Sequence, residues 1–261
     1  MTLLTVAAAQ LTSGSDPAAN LELVTDAIAA AAARGASLVV TPEATMVCFG
    51  TDLRAIAEPL DGPWASAVRA AAREHRITAV VGMFEPAPDG RVHNTLLVAD
   101  PFQPPADDPV HYRKIHLFDA FGSRESAVVA PGDELVRIKV DGVSVGLATC
   151  YDVRFADQFS ALGRAGSELI LLPASWGDGP GKAEQWDLLT RARAADAQAW
   201  LLACDQAWTP PRGRAPLGVG RSVLADPTGA VRTQLGSEPG LLVADIDTDL
   251  VREVRARVPI L

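Results

Sequence analysis

Asp141-Gly142-Val143-Ser144-Val145-Gly146-Leu147-Ala148-Thr149-Cys150-Tyr151-Asp152-Val153-Arg154-Phe155 decides the fold class. Asp141-Gly142 is a turn signal, and the apolar run Val143 to Thr149 after it has the length of a buried strand. Phe155, Phe159 and Leu162 then recur at helical spacing before Gly166, which predicts a helix with one apolar face. A strand that runs straight into a helix is the building unit of a layered α/β domain. Cys150 falls at the junction, at the carboxyl end of the strand, where open α/β sheets collect functional groups.

The same alternation extends in both directions. Strands are predicted at Thr5 to Gln10, Ser37 to Thr41, Ile77 to Glu85, Val92 to Ala99, Glu168 to Pro173, Trp200 to Cys204 and Leu241 to Ile246. Asp16-Pro17 reads as a cap with proline in the first turn, and Gly35 as the stop, so residues 17 to 34 are expected to be helical. A second helix begins near Pro63 with Trp64, Val68 and Ala71 on one face. A further helix places Leu188, Ala192, Ala195 and Ala199 on its apolar face. Val219 to Val231 resembles a hairpin turning at Asp226-Pro227-Thr228-Gly229. Pro101 to Pro109 and Trp176 to Lys182 read as irregular connections, neither long enough for an interdomain linker. With no internal repeat, a single domain over residues 1–261 is expected.

Composition narrows the function classes. Of 261 residues, 48% are hydrophobic and 21% charged, a globular balance with material for a large core. Acidic residues outnumber basic ones 32 to 23, and the net charge of −9 disfavours a nucleic-acid partner. No apolar run approaches the roughly 20 residues of a membrane-spanning helix, and MTLLTVAAAQ has no basic start, so it reads as a first strand and not a signal peptide. Three cysteines, Cys48, Cys150 and Cys204, make a poor disulfide framework and point to a reducing cytoplasm.

Three segments carry chemistry. Glu43 follows a strand in Thr41-Pro42-Glu43, Lys114 lies in Tyr112-Arg113-Lys114-Ile115-His116-Leu117-Phe118-Asp119, and Cys150 ends its own strand. Each alone has a bland explanation: a solvated glutamate, a solvated charged run, a packed thiol. Together, with their flanking residues, order and spacing, they resemble the nitrilase-like carbon–nitrogen hydrolases over essentially the whole chain. Arg124-Glu125-Ser126 followed by Pro131-Gly132 is similar to the loop that holds that family's second glutamate.

The resemblance implies a four-layer α-β-β-α sandwich, a homodimer or higher homo-oligomer, and hydrolysis of a small-molecule amide by water with no metal or cofactor. Its chemistry agrees with the residue types. A stable amide needs a strong nucleophile such as an activated thiol, a carboxylate to move protons, and donors for the developing oxyanion. Carried over residue by residue, Cys150 is the nucleophile, Glu43 the acid/base, Lys114 and the Tyr151 N–H the oxyanion donors, and Glu125 an orienting group. Phe49 and Trp176 are expected against the substrate. The segment Cys150-Tyr-Asp-Val-Arg154-Phe155 is similar to the branch of ω-amidases and deaminated glutathione amidases, whose substrates carry carboxylates. Arg154 is either the receptor of that carboxylate through a bidentate pair or a structural ion pair at a helix start. Phe49 stands in place of a tyrosine, Gln185-Trp186 in place of His-Trp, and Ala156 in place of a proline, which leaves the substrate open. Carbamoylase and nitrilase chemistry, or a catalytically idle scaffold, are the alternatives.

Other signals fail on context. Gly142-Val-Ser144-Val-Gly146 matches a serine-hydrolase pattern, yet Ser144 opens a strand where a nucleophile elbow needs a strand-to-helix turn. Gly177-Asp-Gly-Pro-Gly181-Lys182-Ala183 is one residue short of a phosphate loop and lacks its Ser/Thr. His75, His93, His111 and His116 lack zinc-site spacing. Cys48 and Cys204 lack the flanking residues of Cys150 and are expected to be structural.

Overall fold

In the computed structural model, which describes residues 3–102, 109–210 and 217–261, alternating strands separate into two sheets with helices on their outer faces. The first half of the chain gives β1 (Leu3–Gln10), α1 (Pro17–Ala33), β2 (Leu38–Val40), α2 (Leu53–Ile56), α3 (Pro63–His75), β3 (Thr78–Pro86), β4 (Val92–Ala99), β5 (His111–Arg113) and β6 (Val129–Ala130). The second gives β7 (Arg137–Val140), β8 (Val143–Leu147), α4 (Ala156–Arg164), β9 (Leu169–Ala174), α5 (Lys182–Ala197), β10 (Trp200–Asp205), β11 (Val223–Ala225), β12 (Val231–Gln234), β13 (Gly240–Asp247) and α6 (Asp249–Arg257).

One sheet has the order β13-β1-β2-β3-β4-β5 with β6 beside β4; the other runs β12-β11-β10-β9-β8-β7. Each has three parallel strands at its centre, β1-β2-β3 and β8-β9-β10, joined by helices. β13 returns to pair antiparallel with β1 along its whole length, from Leu3 opposite Asp247 to Gln10 opposite Gly240.

Period-two alternation assigns the layers. Inward residues Leu4, Val6, Val40 and Val80 of one sheet meet Val145, Leu169, Leu171 and Leu202 of the other. Outward residues Ala7, Val39, Ala79 and Val81 pack under α1 and α3. Ile170, Leu172, Leu201 and Ala203 pack under α4 and α5. The result is the expected α-β-β-α sandwich.

Local signals hold where they have a mechanism. Asp16 caps α1 by accepting from Ala18 N, with Pro17 in the first turn. Asp141 and Gly142 both have positive φ and join β7 to β8. Asp226 to Gly229 turns between β11 and β12. The face expected of α5 is a correction: Leu188 is 67% exposed, and Trp186, Thr190, Ala194 and Ala197 are buried. Alanine on every side blurs the periodicity, and the bulky Trp186 takes the contact with the sheet. Phe155 is a second correction, standing just before α4 and stacked at 3.6 Å on His116. Only the ends of the Pro101 to Pro109 loop lie within the described residues. Trp176 to Gly181 is irregular, and Lys182 opens α5.

Candidate active site

Glu43, Cys150, Ser175 and Asp205 all follow or end parallel strands, at the carboxyl edges of β2, β8, β9 and β10. The chain turns sharply at two of these places. Ala44 and Cys150 have φ of 56° and 45°, a left-handed conformation that non-glycine residues seldom adopt and that recurs at functional sites. Gly82 on β3 makes room for the first turn, since a Cβ there would lie 2.6 Å from Pro42 O. Cys150 opens a 3-10 turn, Cys150–Arg154, leaving the Tyr151 N–H at the turn's amino end.

Lys114 follows β5 and is 2% exposed. Its Nζ donates to Glu43 Oε1 at 2.9 Å and to Glu125 Oε1 and Oε2 at 3.1 and 2.9 Å. Glu43, fully buried, also accepts from Asn94 Nδ2 at 2.7 Å and from Ser175 N at 2.9 Å. Glu125 accepts in addition from Phe118 N at 2.6 Å. The Cys150 thiol, 7% exposed, lies within the electrostatic reach of Glu43 and Lys114. The buried charges are thus mutually compensated, as a low-dielectric site requires.

These contacts fix the protonation states. Burial works to discharge Lys114, but the carboxylates of Glu43 and Glu125 outweigh it and hold the ammonium well above the usual lysine range. Burial, followed by the charge of Glu43, pushes the Cys150 thiol well above the ordinary cysteine range against the opposing pull of Lys114. Cys150 is therefore a neutral thiol at neutral pH, beside the carboxylate of Glu43. Behind it, burial raises the Asp205 carboxyl while the N–H groups of Trp176, Val219 and Gln206 oppose the rise.

A second network holds the nucleophile turn to the lysine segment. Asp152 Oδ2 accepts from Tyr112 OH at 2.5 Å and Thr149 N at 2.8 Å. Its Oδ1 accepts from His116 N at 3.0 Å and lies 2.9 Å from His116 Nδ1. Burial and the neighbouring Asp152 charge push the Tyr112 phenol well up, so it stays a donor.

A cavity of about 950 Å³ opens over this cluster. Glu43, Phe49, Lys114, Glu125, Cys150, Tyr151 and Trp176, all singled out in the sequence, share its wall. Arg154 does not: its Nη2 donates to Gln185 Oε1 at 2.7 Å and its guanidinium lies 4.8 Å over Trp176. Asn94, Asp152, Ser175 and Lys182 carry no sequence signal of their role. Asn94 is embedded in an apolar strand, and Ser175 acts through its backbone. Ser144 lies within β8, buried, with Arg137 Nη1 at 3.5 Å from its Oγ. Among the described residues no three His, Cys, Asp or Glu side chains gather as metal ligands, and no helix is long and apolar enough to cross a membrane.

The model of the carbon–nitrogen hydrolase family matches residues 5–256. A hydrolase of Mycobacterium tuberculosis is 53% identical, over 98% of this chain and 94% of that protein. The deaminated glutathione amidase of Escherichia coli O157:H7 is 32% identical over 98% of this chain and 95% of its own. The crystal structure of Saccharomyces cerevisiae Nit3, from branch 10 of the nitrilase superfamily, superposes with a TM-score of 0.86 at 26% identity, covering 99% of this chain and 95% of that one. Sequence and fold therefore lead to one assignment: this chain belongs to the carbon–nitrogen hydrolase family, with amidases among its relatives, and is a hydrolase of carbon–nitrogen bonds.

Proposed function

We propose that the protein is a cysteine-dependent amidase that hydrolyses a small carboxylate-bearing amide, of the ω-amidase or deaminated glutathione amidase type, through a thioester. The observation that carries this reading is the buried Cys150 thiol on one cavity wall with Glu43, whose carboxylate is tied to Lys114 at 2.9 Å.

Because the thiol rests neutral, Glu43 takes its proton as Sγ attacks the amide carbon. Negative charge then develops on the carbonyl oxygen, where Lys114 Nζ and the Tyr151 N–H are the donors. Collapse of this intermediate breaks the carbon–nitrogen bond; Glu43 gives its proton to the departing nitrogen, ammonia leaves, and the acyl group stays on Cys150. Glu43 next takes a proton from water, whose oxygen attacks the thioester. The carboxylic acid departs and the proton returns to sulfur. Glu125 keeps Lys114 in place, Asn94 orients Glu43, and Phe49 and Trp176 form walls against the substrate.

The test is mass spectrometry of the protein after incubation with a panel of acidic and neutral amides, alongside ammonia release. An acyl adduct on Cys150, absent in Cys150→Ala together with turnover, is the expected result. Glu43→Gln and Lys114→Ala are each expected to lower kcat/KM by about a hundredfold or more. Ammonia release at a normal rate by the Cys150→Ala protein would refute the mechanism.

A further inference from the structure

In the cluster around Cys150 the ammonium of Lys114 is already held between the carboxylates of Glu43 and Glu125. Among the described residues one more cation stands on the cavity wall. Lys182, the first residue of α5, is half-buried and points its Nζ at aromatic faces: 4.2 Å from the ring centre of Trp176, 5.7 Å from Phe118 and 5.9 Å from Phe121. Among the described residues it forms no ion pair. Asp178, on the same wall, has both oxygens engaged elsewhere, by Gly179 N at 2.7 Å and Trp208 Nε1 at 2.9 Å.

Such an ammonium is under-solvated. Burial draws its pKa below the usual lysine range, and the charge of Arg154 adds to that against the opposing effects of Cys150 and Asp205. Ring faces hold a cation less firmly than a carboxylate does in a charge-assisted hydrogen-bonded pair. An anion entering the cavity therefore finds one compact positive charge in an aromatic sleeve.

Resting on the amidase reading above, we propose that Lys182, and not Arg154, receives the substrate's carboxylate and so sets the preference for acidic amides. Arg154 lies behind the wall. Through Gln185 and the Trp176 face it acts as a positioning residue, and its Nε is buried without a hydrogen-bond partner. A single ammonium among apolar rings suits one carboxylate better than a phosphate dianion, which calls for several donors.

The pair glutaramate and pentanamide tests this, since the two amides have equal length and differ by a carboxylate in place of a methyl group. The wild-type protein is expected to favour glutaramate in kcat/KM. In Lys182→Gln the glutaramate-to-pentanamide ratio is expected to fall about tenfold or more, the size of a charge-assisted hydrogen bond. Lys182→Arg should restore most of the ratio, and Arg154→Gln should leave it within about threefold of wild type. An unchanged ratio in Lys182→Gln, or an equal fall in Arg154→Gln, overturns the proposal. Calorimetric binding of both amides to the Cys150→Ala protein, with and without Lys182→Gln, reads the same contact without turnover. If the wild type releases ammonia from neither amide, the amidase reading fails. Tighter binding of glutaramate that depends on Lys182 then still upholds the receptor, and equal binding of the two amides refutes it.

Discussion

In the mechanism proposed above, Cys150 is a nucleophile kept protonated by burial and by the carboxylate that serves as its base. Burial and Glu43 raise its pKa, and Lys114 lowers it. Removing either partner should displace the thiol's titration in opposite directions. Alkylation of Cys150 by iodoacetamide, followed by mass spectrometry across pH, is expected to rise only on the alkaline side of an ordinary thiol. Glu43→Gln should shift that profile to lower pH and Lys114→Ala to higher pH. Shifts in the same direction, or none, would show that these charges do not govern the thiol. At this scale the sequence singled out Glu43, Lys114 and Cys150 because each is a reactive type in a distinctive segment, and the fold brings the three to one cavity wall. Asn94 and Asp152 were not, because an amide in an apolar strand and an acid within a turn look the same in sequence whether they brace a site or face water.

Between elements, the decisive junction is Asp152, where the turn after β8 meets the segment after β5. Its two oxygens face Thr149 N, Tyr112 OH and the N and Nδ1 of His116. Asp152→Asn would turn an amide NH₂ toward donors, and an unmade buried hydrogen bond costs about 1–3 kcal/mol. We expect a lower Tm and a fall in kcat larger than any rise in KM, since Thr149 directly precedes Cys150. Full activity with an unshifted Tm would show the junction to be dispensable. The strands with apolar runs, Leu169–Ala174 above all, were readable as buried strands. β5 and β7 were not, being short and rich in charge: His111-Tyr-Arg113 and Arg137-Ile-Lys-Val140 take their pairing from neighbours already in the sheet. Leu188 misled for a related reason, since a leucine on an alanine-rich helix marks an apolar face only if its side is the one that meets the sheet.

For the whole molecule, the base and the ammonium come from one sheet and the nucleophile from the other, so the core between the sheets sets their separation. Activity and far-UV circular dichroism are therefore expected to disappear together in a urea titration, as one cooperative transition. Activity lost well before the ellipticity would mean that the site loosens while the sandwich persists. The α/β class was legible from the succession of strands and helices, and the four layers only through the family resemblance; which sheet a strand joins was not legible, because pairing depends on partners far away in sequence. The union of β13 with β1 bears on the order of events during synthesis. A nascent chain that has emerged past Cys150 already holds Glu43, Lys114, Glu125 and Cys150, yet β1 waits, with an open edge, for β13. Contacts of such long sequence separation form slowly, so the first sheet cannot be complete until Gly240–Asp247 has been made.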